Sequence, residues 1–236
     1  MLIIAHRGAS ASEKENTREA FLAAHELGSD AIETDARRCK FCGKLVLSHD
    51  PILTEEDCAA ALSLEDFLNI KVDGAYLPLS DEKFFLGEQI QLHIEIKEKG
   101  LVHEILEMTQ GLRYRDKIVF SSFLWRELCK IRFFEGGRPS ARIGFLWESR
   151  SEKIPYWAIA LAGILLDAES IHVDFSMVNT RLVGYFRERG FSVYAYTVNH
   201  HSDIYSAWQL GLDGIFTDRP GYAREILSEA ANIVPQ

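Results

Sequence analysis

Short apolar runs alternate along this chain with longer segments whose apolar positions recur every three or four residues. The first pattern suits strands buried on both faces, and the second suits amphipathic helices. Their regular alternation predicts βα units around a parallel sheet. Eight runs qualify as strands: 2–5, 31–35, 92–96, 117–121, 142–145, 170–173, 192–197 and 214–217. Asn16 and Thr17 can cap a first helix that Gly28 closes, and Asn179 opens another that ends before Gly190. Asp218 and Pro220 fit the start of the last helix. A ninth apolar run, 45–48, follows a turn at Gly43 and reads as a hairpin that extends the second strand past the sheet. If that turn centres near Cys42, Asp35 lies opposite His49. Residues 63–70 read as a helix and 73–88 as loop.

Eight parallel strands in 236 residues predict one (β/α)₈ barrel, a fold that takes roughly 250 residues. The expected architecture is thus a single α/β domain over 1–236, a TIM barrel with a hairpin and short insertion at about 36–91. Active sites of such barrels lie at the carboxyl ends of the strands, so the residues that end each run carry the candidate chemistry.

Hydrophobic residues make up 47% of the chain, enough for that core. The net charge of −9 removes a broad nucleic-acid footprint, which needs a basic face. It leaves room for a small anionic substrate, because one metal and a few cations reverse the field locally. The chain opens without a basic leader, and its longest later apolar stretch, 158–166, falls well short of the ~20 residues a bilayer span needs. A cytoplasmic protein without stable membrane insertion is expected. Nothing about Cys39, Cys42, Cys58 and Cys129 suggests a disulfide scaffold, and Cys39 and Cys42, which have zinc or redox spacing but no evident second ligand pair, read as a pair of ordinary reduced thiols.

Glu33 and Asp35 stand two apart in a strand and share a face, where they repel unless a cation lies between them. Glu95 and Lys97 repeat that spacing at the end of the third strand. Three carboxylates make a hard-oxygen site suited to one Mg²⁺ or Ca²⁺ and unlike a zinc site. His6 and His49 follow strands, and two imidazoles beside such a cluster can deprotonate a nucleophile and protonate a leaving alkoxide. Arg7 and Lys97 can hold phosphoryl oxygens, and Gly8 lets the backbone turn tightly beside them. His93 and His172 read as core packing, and Ser121 and Ser122 as turn or pocket residues.

His6-Arg7-Gly8, Glu15-Asn16-Thr17, Glu33-x-Asp35, His49-Asp50, Glu95-x-Lys97, Thr197-Val198-Asn199 and Thr217-Asp218-Arg219-Pro220 together resemble the signature of the glycerophosphodiester phosphodiesterase family. The resemblance implies a TIM-type barrel that cleaves glycerophosphodiesters to glycerol 3-phosphate and an alcohol with a divalent cation. It implies metal ligands at Glu33, Asp35 and Glu95, an acid–base pair at His6 and His49, and phosphate binding by Arg7 and Lys97. Glu15 and Asp50 are expected beside the site and Tyr196 along the pocket; Asn16 and Thr17 read chiefly as caps. The chain departs from the family pattern at Lys14, at Cys42-Gly43 and at Tyr196, which stand where the family has Pro, Asp-Gly and Trp. Two other functions stay open: a phospholipase or lyase that works on a lysolipid or phosphoinositide-like substrate through a cyclic phosphate, and a non-catalytic phosphodiester-binding protein.

Overall fold

A computed structural model describes residues 1–73, 83–135, 140–148 and 154–233. The elements follow in chain order as β1 (Leu2–His6), α1 (Arg18–Glu26), β2 (Ala31–Arg38), β3 (Leu45–Leu47), α2 (Glu55–Ala60), α3 (Leu64–Leu68), β4 (Lys71–Asp73), β5 (Lys83–Phe85), α4 (Leu86–Gln89) and β6 (Gln91–Ile96). Then come α5 (Val102–Gln110), β7 (Ile118–Ser122), α6 (Trp125–Phe134), β8 (Arg142–Trp147), α7 (Tyr156–Leu165), β9 (Ser170–Asp174), α8 (Thr180–Arg187), β10 (Ser192–Tyr196), α9 (His201–Gln209), β11 (Gly214–Thr217) and α10 (Pro220–Ile233). Strands β1, β2 and β6 to β11 pair in parallel, and β1 meets both β2 and β11. The sheet therefore closes into an eight-stranded barrel with helices between its strands, as the alternation predicts. No helix among the described residues is long and apolar enough to cross a membrane.

Strand interiors are buried because helices cover the outside and side chains fill the inside. His93 and His172 are fully buried in that filling, beside Tyr194 and Phe216. Burial pushes the His172 imidazole down to about 3 and His93 well down too, so both are neutral packing groups. Helix α1 shows how local sequence places a layer. Thr17 Oγ1 accepts the Ala20 amide (3.3 Å), and Phe21 meets Phe67 of α3 with ring centroids 4.6 Å apart. Burying such a ring stabilises by about 1.5–3 kcal/mol.

The hairpin forms as expected but with its register shifted by one. Ala36 pairs with Leu47 and Arg38 with Leu45, and the Ser48 amide donates to the Asp35 carbonyl at 3.0 Å. Asp35 thus faces Ser48, and His49 lies just beyond the strand. The cause is the turn itself: Cys39 donates to Lys44 and Gly43 donates back to Cys39, which centres the reversal ahead of Cys42. The insertion also holds more regular structure than its sequence suggests. Helix α2 was not evident in the sequence, and the segment read as loop holds the end of β4, the strand β5 that pairs with it, and most of α4. Residues 74–82 of that segment lie outside the described residues.

The cysteines do not fit the reading of ordinary reduced thiols. Cys39 and Cys58 are joined as a disulfide, and the Cys42 sulfur lies 3.2 Å from that of Cys58. Sequence spacing pointed only at Cys39 and Cys42. The third cysteine arrives because α2 packs its Cys58 against the hairpin turn.

Glu135 ends α6 as an acceptor hub. Its Oε1 takes the Ala141 amide at 2.6 Å, the Ser140 amide at 3.0 Å and the Ser140 hydroxyl at 2.8 Å, while Oε2 takes Arg132 at 2.8 Å. Burial raises its pKa, but these donors outweigh burial and hold it below the usual carboxylate range. A depressed folded pKa adds stability above the unfolded pKa and loses it as pH falls through the folded value. Glu135→Gln is expected to cost about 1–3 kcal/mol at neutral pH. Paired urea melts should show the gap from wild type closing as the pH drops below the ordinary glutamate value near 4.3. A gap that stays constant down to acid would assign the loss to packing.

Candidate active site

Three carboxylates converge because the sheet puts their strands side by side. Glu33 and Asp35 point from β2 to one face, and Asp35 is the ladder partner of Glu95 on β6. All three are buried, and ligand oxygens from each lie within 4.8 Å of one another. Lys97 bridges the pair, with Nζ 2.9 Å from Glu95 and 3.4 Å from Asp35. Arg7 approaches from β1: its backbone N–H donates to Glu33 at 3.1 Å and its Nε lies 3.1 Å from Asp35. Its Nη1 reaches Glu15 at 2.9 Å, so Glu15 braces the guanidinium from the outside. Arg7 adopts a left-handed φ of 58° and Gly8 follows with φ 86°. A Cβ on Gly8 would come 2.7 Å from the Ala20 backbone, so this turn admits only glycine.

The charges respond to this crowding. Burial, and then Asp35 and Glu95, push the Glu33 carboxyl well above its ordinary range. Burial also raises Glu95, against the pull of Lys97. At Asp35, burial is outweighed by Lys97, Arg7 and the Asn16 hydrogen bond, and the pKa falls. Lys97 is desolvated too, yet Glu95 and Asp35 raise its pKa. Asp35 Oδ1 is buried and accepts no hydrogen bond from the described residues. A buried carboxylate oxygen that makes no hydrogen bond, with Lys97 Nζ 3.4 Å away and two further carboxylates beside it, fits a hard divalent cation, which Glu33, Asp35 and Glu95 could hold together.

His6 ends β1 at the same mouth. Its Nδ1 lies 2.7 Å from Asp218 Oδ1. Burial raises Asp218, but hydrogen bonds from His6, Asn199 and Ser10 lower it below its usual value, so it is an ionised acceptor. Nδ1 therefore carries the proton, and Nε2 is left for the cavity. Asn199 in turn donates to Asp218 Oδ2 at 2.5 Å and accepts from Thr217 and from the Asp218 amide. His49 sits across the mouth after β3. Its carbonyl accepts from Arg37 at 2.8 Å, and its Nδ1 lies 3.0 Å from Asp50, which is largely exposed.

One cavity of about 210 Å³ gathers these groups: His6, Arg7, Glu33, His49, Glu95 and Lys97 line it, together with Ser121, Phe123 and Tyr196. Tyr196 donates its hydroxyl to the Trp147 carbonyl at 2.9 Å and meets Phe123 edge-on, with ring centroids 5.9 Å apart. Burial raises its phenol far above the ordinary value, so it is a neutral aromatic surface. Asp35 does not line this cavity but lies beside Glu95 and Lys97, which do; Glu15 and Asp50 line a separate cavity and reach the site through Arg7 and His49.

Three contributors were not singled out from the sequence as site residues. Asp218 and Asn199 stood only in motifs, with Asp218 taken as a helix start. Asn16 was taken as a cap, yet it adopts φ 57° and turns inward. Its Nδ2 donates to Asp35 at 3.1 Å and its Oδ1 accepts from Thr34 at 2.7 Å, while Thr17 alone caps α1. Its place in the Glu15-Asn16-Thr17 motif, beside a threonine able to cap by itself, was the available signal.

Fold and site together define an α/β-barrel enzyme with two histidines, two basic side chains and a carboxylate cluster at one mouth. The chain belongs to the glycerophosphoryl diester phosphodiesterase family, whose sequence model matches residues 6–86 and 88–222. It is 28% identical to a glycerophosphodiester phosphodiesterase of Caldanaerobacter subterraneus, over 93% of this chain and 94% of that protein. It is 22% identical to a lysophospholipase D of Homo sapiens, over 95% of this chain and 85% of that protein. A phosphodiesterase structure from Oleispira antarctica, in complex with the product sn-glycerol-3-phosphate, superposes with a TM-score of 0.78. That match has 22% identity and covers 97% of each chain.

Proposed function

We propose that this protein hydrolyses glycerophosphodiesters to sn-glycerol 3-phosphate and an alcohol, with Mg²⁺ or Ca²⁺ held by Glu33, Asp35 and Glu95. The observation that carries this reading is the one cavity that His6, His49, Arg7, Lys97, Glu33 and Glu95 line together. A divalent cation bound there would neutralise a non-bridging phosphoryl oxygen. Arg7 and Lys97, now paired with carboxylates, would hold the other non-bridging oxygen. His6 and His49 divide the proton work: one takes the proton of the attacking water, and the other gives one to the departing alkoxide. Asp218 keeps His6 in one tautomer throughout. Phe123 and Tyr196 would face the alcohol half of the substrate.

The test uses protein stripped with EDTA and a panel of glycerophosphodiesters, with Mg²⁺, Mn²⁺ or Ca²⁺ added back. Glycerol 3-phosphate release should need the metal, and His49→Ala should lower kcat by about 10²–10⁴-fold. Folded, metal-loaded protein without turnover on any headgroup would remove the proposal.

A lysophospholipid is the second substrate reading. It is favoured by the aromatic pair Phe123 and Tyr196 at the mouth and by the lysophospholipase D relative. Phosphorus NMR on a lysophosphatidylcholine would show lysophosphatidic acid forming if it holds. A signal for a cyclic phosphate would point to attack by the substrate's own hydroxyl instead.

A further inference from the structure

The cysteine cluster lies outside the active site, and the reaction uses none of it. Cys39 is buried at the end of the β2–β3 ladder, and Cys42 is exposed on the same turn. Gly43 follows with φ 72°, and a Cβ there would meet nothing within 4 Å. Glycine is needed for the left-handed backbone and not for space. That turn sets both sulfurs on one side. Cys58 arrives from α2, whose Thr54 accepts the Asp57 amide at 3.0 Å and fixes the helix start. Two separate segments thus bring three sulfurs within 4.8 Å of one another.

We infer that Cys39, Cys42 and Cys58 form a second metal site, for a thiophilic divalent cation of the zinc type. Four ligands at a Zn–S length of about 2.3 Å in a tetrahedron put sulfurs about 3.8 Å apart, a separation the three sulfurs, all within 4.8 Å of one another, reach once the Cys39–Cys58 bond is opened. A cavity of about 580 Å³ adjoins Cys42 and Cys58 and is lined by Glu55, Asp66 and Lys44. It supplies room for a fourth, oxygen ligand from water or carboxylate. A staple between the hairpin and α2 needs only two sulfurs. It leaves the exposed Cys42 thiol, in contact with Cys58, without a purpose.

The disulfide and the metal are alternative states of one cluster. A dithiol or phosphine reductant delivers two electrons and, with two protons, converts the Cys39–Cys58 bond to two thiols. The cation then displaces the protons of three thiols. The resulting charge of three thiolates and one dication is −1, and Lys44 lies on the adjoining cavity wall to offset it. In either state the cluster ties α2 to the hairpin that delivers His49.

The experiment takes the full chain, reduced with a phosphine, desalted without oxygen and titrated with Co²⁺ and then Zn²⁺. One equivalent of Co²⁺ should give a thiolate-to-cobalt charge-transfer band, which Zn²⁺ then removes. Bound Zn²⁺ should cut the thiols reactive toward a disulfide reagent from four to one, leaving Cys129. Cys42→Ser is at an exposed position and should weaken binding by more than about 100-fold, beyond the range of an outer-shell change. No charge-transfer band in the reduced protein, or binding unchanged in Cys42→Ser, would overturn the site. The carboxylate cluster has no sulfur and cannot produce the band, so this result is independent of whether the proposed hydrolysis holds.

Discussion

Asp35→Asn is expected to lower metal-dependent turnover by about 10²–10³-fold, the size of losing one fixed group aimed at transition-state charge. Asp35 is the centre of the cluster. It pairs across the ladder with Glu95, lies two residues from Glu33, and is the carboxylate that Lys97, Arg7 and Asn16 all approach. Asparagine keeps the shape but brings an amide N–H₂. With its oxygen in the place of Oδ2, toward Asn16 and Arg7, that amide turns its N–H₂ toward Lys97, which is a donor itself. The cluster then holds one acidic group fewer, and ion affinity should fall by at least about tenfold. Rates measured against Mg²⁺ concentration, with calorimetric titration of the ion, would check this. Partial recovery at high Mg²⁺ is expected, and an unchanged metal dependence would place the ion away from these carboxylates.

Asp218→Asn should lower kcat by about 10²–10⁴-fold while KM changes little, because the group acts on His6 and not on the bound substrate. Asp218 Oδ1 accepts from His6 and Ser10, and Oδ2 accepts from Asn199. An asparagine that keeps an oxygen toward Asn199 turns its amide toward His6. Nδ1 must then accept, and the proton moves to Nε2, the nitrogen that faces the cavity. Asn199→Ala should show a smaller loss, since it frees one oxygen of Asp218 and leaves the His6 contact in place. Steady-state rates for both variants would check the order. A KM effect larger than the kcat effect would make Asp218 a substrate contact.

Much of this molecule was legible in the order of its residues. The barrel was legible because buried strands and amphipathic helices have different periods, and eight repeats of the pair leave few ways to close a sheet. The carboxylates were legible because strand geometry forces residues two apart to one face, so Glu33 and Asp35 already implied a cation between them. The histidines and cations fell at strand ends, where this fold collects its chemistry.

What the sequence left undetermined depends on contacts between distant segments. His6 and Asp218 stand 212 positions apart and meet only because β1 closes against β11. Asn16 turns inward because a left-handed backbone carries it under Asp35, where periodicity predicts only a helix start. The hairpin slips by one residue because hydrogen bonds inside its turn, and not the strand pattern, set its centre. Cys58 joins Cys39 and Cys42 because α2 folds onto that turn, a packing choice that no spacing rule contains. Local periodicity and residue type determined the elements, the barrel and the main groups of its mouth. Tertiary closure alone decided which side chains orient those groups, because orientation requires partners the chain supplies from elsewhere.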